Sequence, residues 1–156
     1  MRDPARRPAT WVLPPAPYAL ALYASWRLEH DLMSLPIDLG RASSVLGWAL
    51  VGCGLTLFSW TLFTFSRHHT SVNPYVAAST LCTDGPFRFT RNPIYVGDWF
   101  IYAGVTLLLK TAWPLAFALP VWLIIRYGVI RHEEAHLEAK FGDDYRAFTA
   151  RIRRWL

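Results

Sequence analysis

The chain has 156 residues, 53% hydrophobic and only 17% charged, with a formal net charge of +5. An ordinary soluble domain carries about 45–50% apolar and about 25% charged residues, so disorder is excluded. A basic nucleic-acid module is disfavoured too, because its surface would need denser Lys and Arg. Two cysteines, Cys53 and Cys82, make no disulfide framework, and the length fits one domain.

The apolar residues run together. Trp11 to Trp26 and Ala42 to Ser66 contain no charge; Pro93 to Leu109 contains only Asp98, and Thr111 to Ile130 only Arg126. Apolar stretches of about 18 or more residues are candidate membrane spans, and in lipid they must be helical to satisfy their own backbone groups. The expectation is an all-α integral membrane protein, a single membrane domain over 1–156. Its spans fall at about 14–33, 42–66, 93–110 and 111–130, with a loop at 67–92 and a C-terminal segment at 131–156. Pro14, Pro15 and Pro17 blur the start of the first span. They also argue against a cleaved signal peptide ending near Ala19-Leu20-Ala21, although Arg2, Arg6 and Arg7 precede the run.

With four spans, both termini and the loop 67–92 share one side. That side holds 13 of the 16 Lys and Arg; Arg27, Arg41 and Lys110 lie opposite. The positive-inside bias therefore puts both termini in the cytoplasm.

In the loop, Asp84-Gly85-Pro86 reads as a turn. Asn92-Pro93 reads as a helix start, with Asn as N-cap and Pro in the first turn. The free N–H groups there, beside Arg88 and Arg91, form an anion site or simply a capped helix end. Asp98 lies about 7.5 Å inside the third span and Arg126 about 6 Å inside the fourth, at 1.5 Å per residue. Matched depth on neighbouring antiparallel helices predicts that they pair or share a polar cavity. Tyr95, Asp98 and Tyr102 share one helix face.

Beyond the fourth span, Arg131-His132-Glu133-Glu134 puts two carboxylates at a helix end, a solvated face or a seat for an ammonium group. His132 and His136 share a face but lack a third ligand, so no metal is expected. Leu137, Phe141, Tyr145, Phe148, Ile152 and Trp155 form one helical stripe. Gly142 followed by Asp143 and Asp144 predicts a break between two short helices, about 131–141 and 143–155. The stripe packs on the membrane domain or lies in the interface, where Arg151, Arg153 and Arg154 suit anionic headgroups.

Gly85-Pro86-Phe87-Arg88 with Arg91-Asn92-Pro93-Ile94-Tyr95-Val96-Gly97, followed by Glu133-Glu134, Leu137, Phe141-Gly142 and Tyr145, resembles the isoprenylcysteine carboxyl methyltransferase family, whose broader relatives include phospholipid N-methyltransferases. The similarity runs from about Arg67 to the C-terminus. It implies an S-adenosylmethionine-dependent enzyme that releases S-adenosylhomocysteine and binds its cofactor at the cytoplasmic membrane face. The implied cofactor residues are Ser79, Thr80, Leu81, Cys82, Phe87, Arg91, Asn92, Pro93, Ile94, Tyr95, Gly97, Glu133 and Glu134. The physical reading agrees: a helix N-terminus with Arg91 suits a carboxylate, Glu133 or Glu134 an ammonium, and the Tyr95 ring a sulfonium. Glu133, Arg91, Asp98 and Arg126 are the candidate catalytic residues. No glycine-rich strand–turn–helix fingerprint is present, which excludes a Rossmann-type methyltransferase.

Two positions depart from the family. It commonly has His where this chain has Asn92. Relatives that act on a prenylcysteine carboxylate place an acceptor-contacting Arg at about Val129, flanked here by Arg126 and Arg131. The implied partners are the bilayer and a lipophilic acceptor (an isoprenylcysteine-like carboxylate, a lipid or a thiol), with no nucleic acid and an open oligomeric state. Rival readings are a sterol-reductase-like enzyme using NADPH and a non-enzymatic tetraspan binding or transport protein.

Overall fold

A computed structural model describes residues 12–70 and 78–156. Arg2, Arg6 and Arg7, and positions 71–77 of the expected cofactor loop, lie outside the described residues. Among the described residues five helices follow in order: α1 (Pro15–Asp31), α2 (Arg41–Arg67), α3 (Pro93–Leu109), α4 (Trp113–Ile125) and α5 (Arg131–Arg151). A 3-10 turn, Gly85–Arg88, precedes α3, and a π-turn, Arg126–Ile130, joins α4 to α5. No strand element occurs among the described residues.

Among the described residues, two helical stretches are long and apolar enough to cross a membrane: α2, and the stretch Trp113–Arg151 whose apolar part is α4. The third expected span is an apolar helix of 17 residues, α3. The first, α1, also has 17 and ends among Arg27, Glu29 and Asp31. The length criterion is therefore met by two of the four expected spans.

The packing is inverted relative to a soluble bundle. On α2 the buried residues are Ser43, Gly47, Gly54, Thr61 and Thr64, whereas Val45, Leu46, Trp48, Leu55 and Phe63 are exposed. Small residues inside and large apolar ones outside is the pattern of helices packed in lipid. Several buried hydroxyls within the helices are satisfied by their own helix: Ser25 donates to Ala21 O, Thr61 to Leu57 O and Thr106 to Tyr102 O, at 2.6–2.8 Å.

The α2–α3 contact is glycine on glycine. A Cβ on Gly54 would lie 2.6 Å from the Gly97 carbonyl oxygen, and one on Gly104 would lie 2.6 Å from that of Gly47. No side chain fits between these backbones. Across α3, α1 packs through rings set edge to face: the Tyr18 centroid lies 5.3 Å from that of Trp99 and 6.0 Å from that of Tyr102.

The end of the bundle opposite α5 is stapled. Ile37 N–H donates to Lys110 O at 2.9 Å and Ala112 N–H to Leu35 O at 2.7 Å. Glu29 accepts from Thr111 Oγ1 at 2.6 Å, and Lys110 pairs with Asp38 at 3.1 Å. These bonds hold the α1–α2 and α3–α4 connections together.

Candidate functional site

At the other end, the loop before α3 and the helix after α4 close over a cavity. Gly85 opens the 3-10 turn with φ +56°, a conformation open to glycine at little cost. The turn buries Pro86 and Phe87. Phe87 meets Phe65 of α2, with ring centroids 5.4 Å apart, and His68 Nε2 sits 2.8 Å from Asp84 Oδ1. The loop is thereby tied to the end of α2.

From the other side, α5 kinks at Gly142 (φ 51°, ψ −118°), the break expected from the sequence, although its second half ends at Arg151. The apolar stripe packs inward: Leu137, Phe141, Tyr145, Phe148 and Ile152 join Leu81, Cys82 and Phe87 in one cluster. Trp155 packs on the α1–α3–α4 core. Of the two placements open for this stripe, packing on the protein is the one adopted.

The final residues then strap the loop. Arg91 N–H donates to Arg153 O at 2.9 Å. Thr90 Oγ1 and Asn92 Nδ2 both donate to Arg154 O, at 2.9 and 3.0 Å. Asn92 occupies the N-cap position, but its side chain makes no capping bond. The expected cap is thus replaced by a bond to the C-terminal strap. The Arg154 guanidinium is turned onto the protein: it grips both Glu134 oxygens, at 2.9 and 2.7 Å. Glu134 also lies 3.4 Å from Arg91.

The cavity measures about 500 Å³, within the usual range for small-molecule sites. Thr80, Leu81, Cys82, Phe87, Arg91, Asn92, Pro93, Ile94, Tyr95, Asp98, Glu133 and Glu134 line it. Three predicted residues do not. Gly97 faces α2, where its Cβ position is 3.1 Å from the Gly54 oxygen. Ser79 closes the loop, its N–H bonding Thr70 Oγ1 at 3.1 Å and its hydroxyl donating to His69 O at 2.9 Å. Arg126 lies in a separate cavity, over the Trp122 ring at 5.0 Å, and makes no ion pair with Asp98 among the described residues. The expected pair or shared cavity is not formed: Asp98 lines the larger cavity, while Arg126 lines the other and rests on the rings of Trp122 and Tyr127 from its own helical segment.

Sequence reading missed part of the lining. Leu55, Phe58 and Ile101 form an apolar side, and His136, Tyr145 and Phe148 line it from α5. The stripe on α5 foretold the last two; nothing in the spacing pointed to the side facing α2.

The electrostatics are divided. Tyr95 Oη donates to Glu133 Oε1 at 2.8 Å. Burial pushes the Glu133 carboxyl up to about 7, against the downward pull of that bond and with the Glu134 charge adding to the rise. Burial also pushes the Cys82 thiol up to about 11. Arg91 Nε is buried without a hydrogen-bond partner among the described residues, and buried donors are normally satisfied. A carboxylate-bearing ligand would complete it. The first turn of α3 adds unpaired N–H groups, since the first intrahelical bond runs from Val96 N–H to Asn92 O.

Comparison with known proteins gives the context. The phospholipid methyltransferase family matches residues 42–144. The human Protein-S-isoprenylcysteine O-methyltransferase is 31% identical over 143 residues, covering 86% of this chain and 49% of that protein. An uncharacterized protein of Haemophilus influenzae is 50% identical over 34 residues, 22% of this chain and 54% of that one. The chain thus spans about half the length of these relatives. No solved structure matches it.

Proposed function

Because the chain belongs to the phospholipid methyltransferase family, we propose that it is an integral membrane methyltransferase that uses S-adenosylmethionine and acts on a lipophilic acceptor. In this reading all of α1 to α4 cross the bilayer and both termini are cytoplasmic. The observation that carries it is the two-sided character of one cavity. Its polar end holds Arg91, Glu133 and Glu134, and its apolar side includes Leu55, a residue 53% exposed on the outer face of α2. In this reading an acceptor enters from the bilayer beside Leu55, while the polar end receives a charged cofactor from the water side.

The residues present fit S-adenosylmethionine: an unsatisfied Arg91 donor beside a helix N-terminus for a carboxylate, and Glu133 for an ammonium. When bound, that cofactor supplies an activated methyl group on a sulfonium. The protein's own part is binding, orientation and exclusion of water. Arg91 and the α3 N-terminus hold the anionic end. Glu133, kept in place by Tyr95, holds the cationic end. The α5 helices and the strap Arg153–Trp155 cover the site. Asp98, on the same cavity wall, is placed to hold a proton from the acceptor.

A prenylcysteine carboxylate is the less favoured acceptor. Val129, where such relatives carry an acceptor-contacting Arg, is fully buried in the apolar core, which leaves a neutral lipid or a thiol ahead. Thermal-shift titration with S-adenosylmethionine, S-adenosylhomocysteine and NADPH tests the cofactor. Both S-adenosyl ligands should stabilise the protein, by about 2.7 kcal/mol at 100 times their Kd. Stabilisation by NADPH alone, or by none, would refute the reading. Labelled-cofactor screening of lipid, thiol and prenylcysteine acceptors then identifies the substrate.

A further inference from the structure

The π-turn lies outside the cavity described above, yet it shapes a second one. In an α-helix, residues five apart point roughly 140° away from each other. Here Arg131 N–H bonds back to the Arg126 carbonyl, so one turn closes on the fifth residue and brings Arg126 and Arg131 to the same side. A cavity of about 220 Å³ lies there, lined by Arg126, Tyr127, Arg131, Glu134 and Arg154. Isolated π-turns within α-helices occur frequently at functional sites.

The charge of this cavity is not balanced. It holds three guanidiniums and one carboxylate. Glu134 is already engaged by Arg154 on both oxygens and by Arg91 at 3.4 Å. Arg126 and Arg131 make no ion pair among the described residues. Arg126 is instead braced by aromatic rings, 5.0 Å from that of Trp122 and 5.6 Å from that of Tyr127. Two planar guanidiniums with spare donors, that of Arg126 held on rings, match the oxygens of a phosphate group.

The surface leading to it is apolar. Leu115, Leu119, Leu123 and Tyr127 recur every four residues, and all are exposed, at 59%, 64%, 41% and 49%. They make one stripe along α4 that ends at the cavity. We propose that this cavity binds the phosphate of a membrane phospholipid whose acyl chain lies along the α4 stripe. The lipid is held there as a bound headgroup, apart from the methyl acceptor in the larger cavity, and the proposal does not rest on methyl transfer.

The test uses the full chain in detergent, with thermal shift as the readout. The probes are dihexanoylphosphatidylglycerol, the matching diacylglycerol without phosphate, and inorganic phosphate. The phospholipid should stabilise the protein and the diacylglycerol should not. Arg126→Gln with Arg131→Gln should weaken the phospholipid by about tenfold or more. Arg151→Gln, which removes one positive charge from the end of α5 and is charge-matched to Arg131→Gln alone, should leave its affinity unchanged. If the double variant fails to fold, Arg131→Gln alone, at an exposed position, should give a smaller loss of the same sign. Stabilisation by inorganic phosphate with the same arginine dependence would retain the phosphate site but overturn its lipid source. Equal stabilisation by the diacylglycerol, equal loss in Arg151→Gln, or no stabilisation at all would overturn the proposal.

Discussion

Glu133 and Glu134 are adjacent in the chain, but their surroundings separate their roles. Glu134 is neutralised by Arg154 and Arg91, so it fastens the strap to α5. Glu133 is hydrogen-bonded by the Tyr95 hydroxyl, and burial holds its proton up to about 7. A cationic ligand group needs the ionised form, so S-adenosylmethionine affinity should climb as pH rises through about 7 and then level off. Calorimetric titration from pH 6 to 8 measures this. Glu133→Gln should weaken binding by about 1.5–3 kcal/mol and flatten the profile. Stability of the ligand-free protein runs the other way. The folded pKa lies above the ordinary value of 4.5, so the native state holds the proton longer. This group's contribution is therefore full below about 4.5 and is lost as pH rises to about 7. Arg154→Ala should lower stability by about 1–3 kcal/mol, read by denaturation in detergent, because it leaves Glu134 with Arg91 alone. The two carboxylates were visible as a pair in the sequence. Their division of labour was not, because Arg154 reaches Glu134 from 20 residues away.

Among the elements, α2 was legible almost to the residue: expected at 42–66, it runs Arg41–Arg67, since charges mark where apolar chain meets polar surroundings. The kink at Gly142 was legible for a similar reason, a glycine followed by two aspartates at a helix restart. Asn92 holds the expected N-cap position, but the bond its side chain makes instead of capping was not legible, because the partner carbonyl, on Arg154, is 62 residues distant. The α2–α3 seam carried a signal that went unread: Gly47 and Gly54 are seven apart, as are Gly97 and Gly104, two turns of helix on each partner. Its meaning depends on which helices pair. The seam predicts a sharp contrast. Gly54→Ala puts a methyl group 2.6 Å from the Gly97 oxygen and should destabilise by about 1–3 kcal/mol through overpacking. Gly52→Ala, on the same helix with nothing within 4 Å of the new Cβ, should be neutral or stabilising by about 0.5–1 kcal/mol. Thermal unfolding of the two variants in the same detergent compares them directly, and equal losses would mean that the close approach does not set the α2–α3 distance.

For the whole molecule, the question is how many helices cross. At 1.5 Å per residue, the 17 residues of α3 span about 26 Å, short of a hydrocarbon core of about 30 Å. A short helix is accommodated by local thinning and by flanking side chains that reach the interface, and Lys110 stands at its end. The α2–α3 glycine seam and the stapled connections at the far end argue that α3 runs the full depth beside α2. Residue 39 precedes α2 and residue 144 follows α4. Three crossings between them put the two positions on opposite sides; two crossings, by α2 and α4 alone, put them on the same side. Leu39 and Asp144 are both exposed, so each can carry a cysteine in a background with Cys53→Ala. Cys82 can stay, since it is buried and its thiol is pushed up to about 11. In sealed right-side-out vesicles, Leu39→Cys should react with a membrane-impermeant maleimide. Asp144→Cys should react only after permeabilisation. Labelling of both from the outside would remove α3 from the bilayer, and the polar end of the cavity would then no longer lie on the cytoplasmic side that cofactor binding requires.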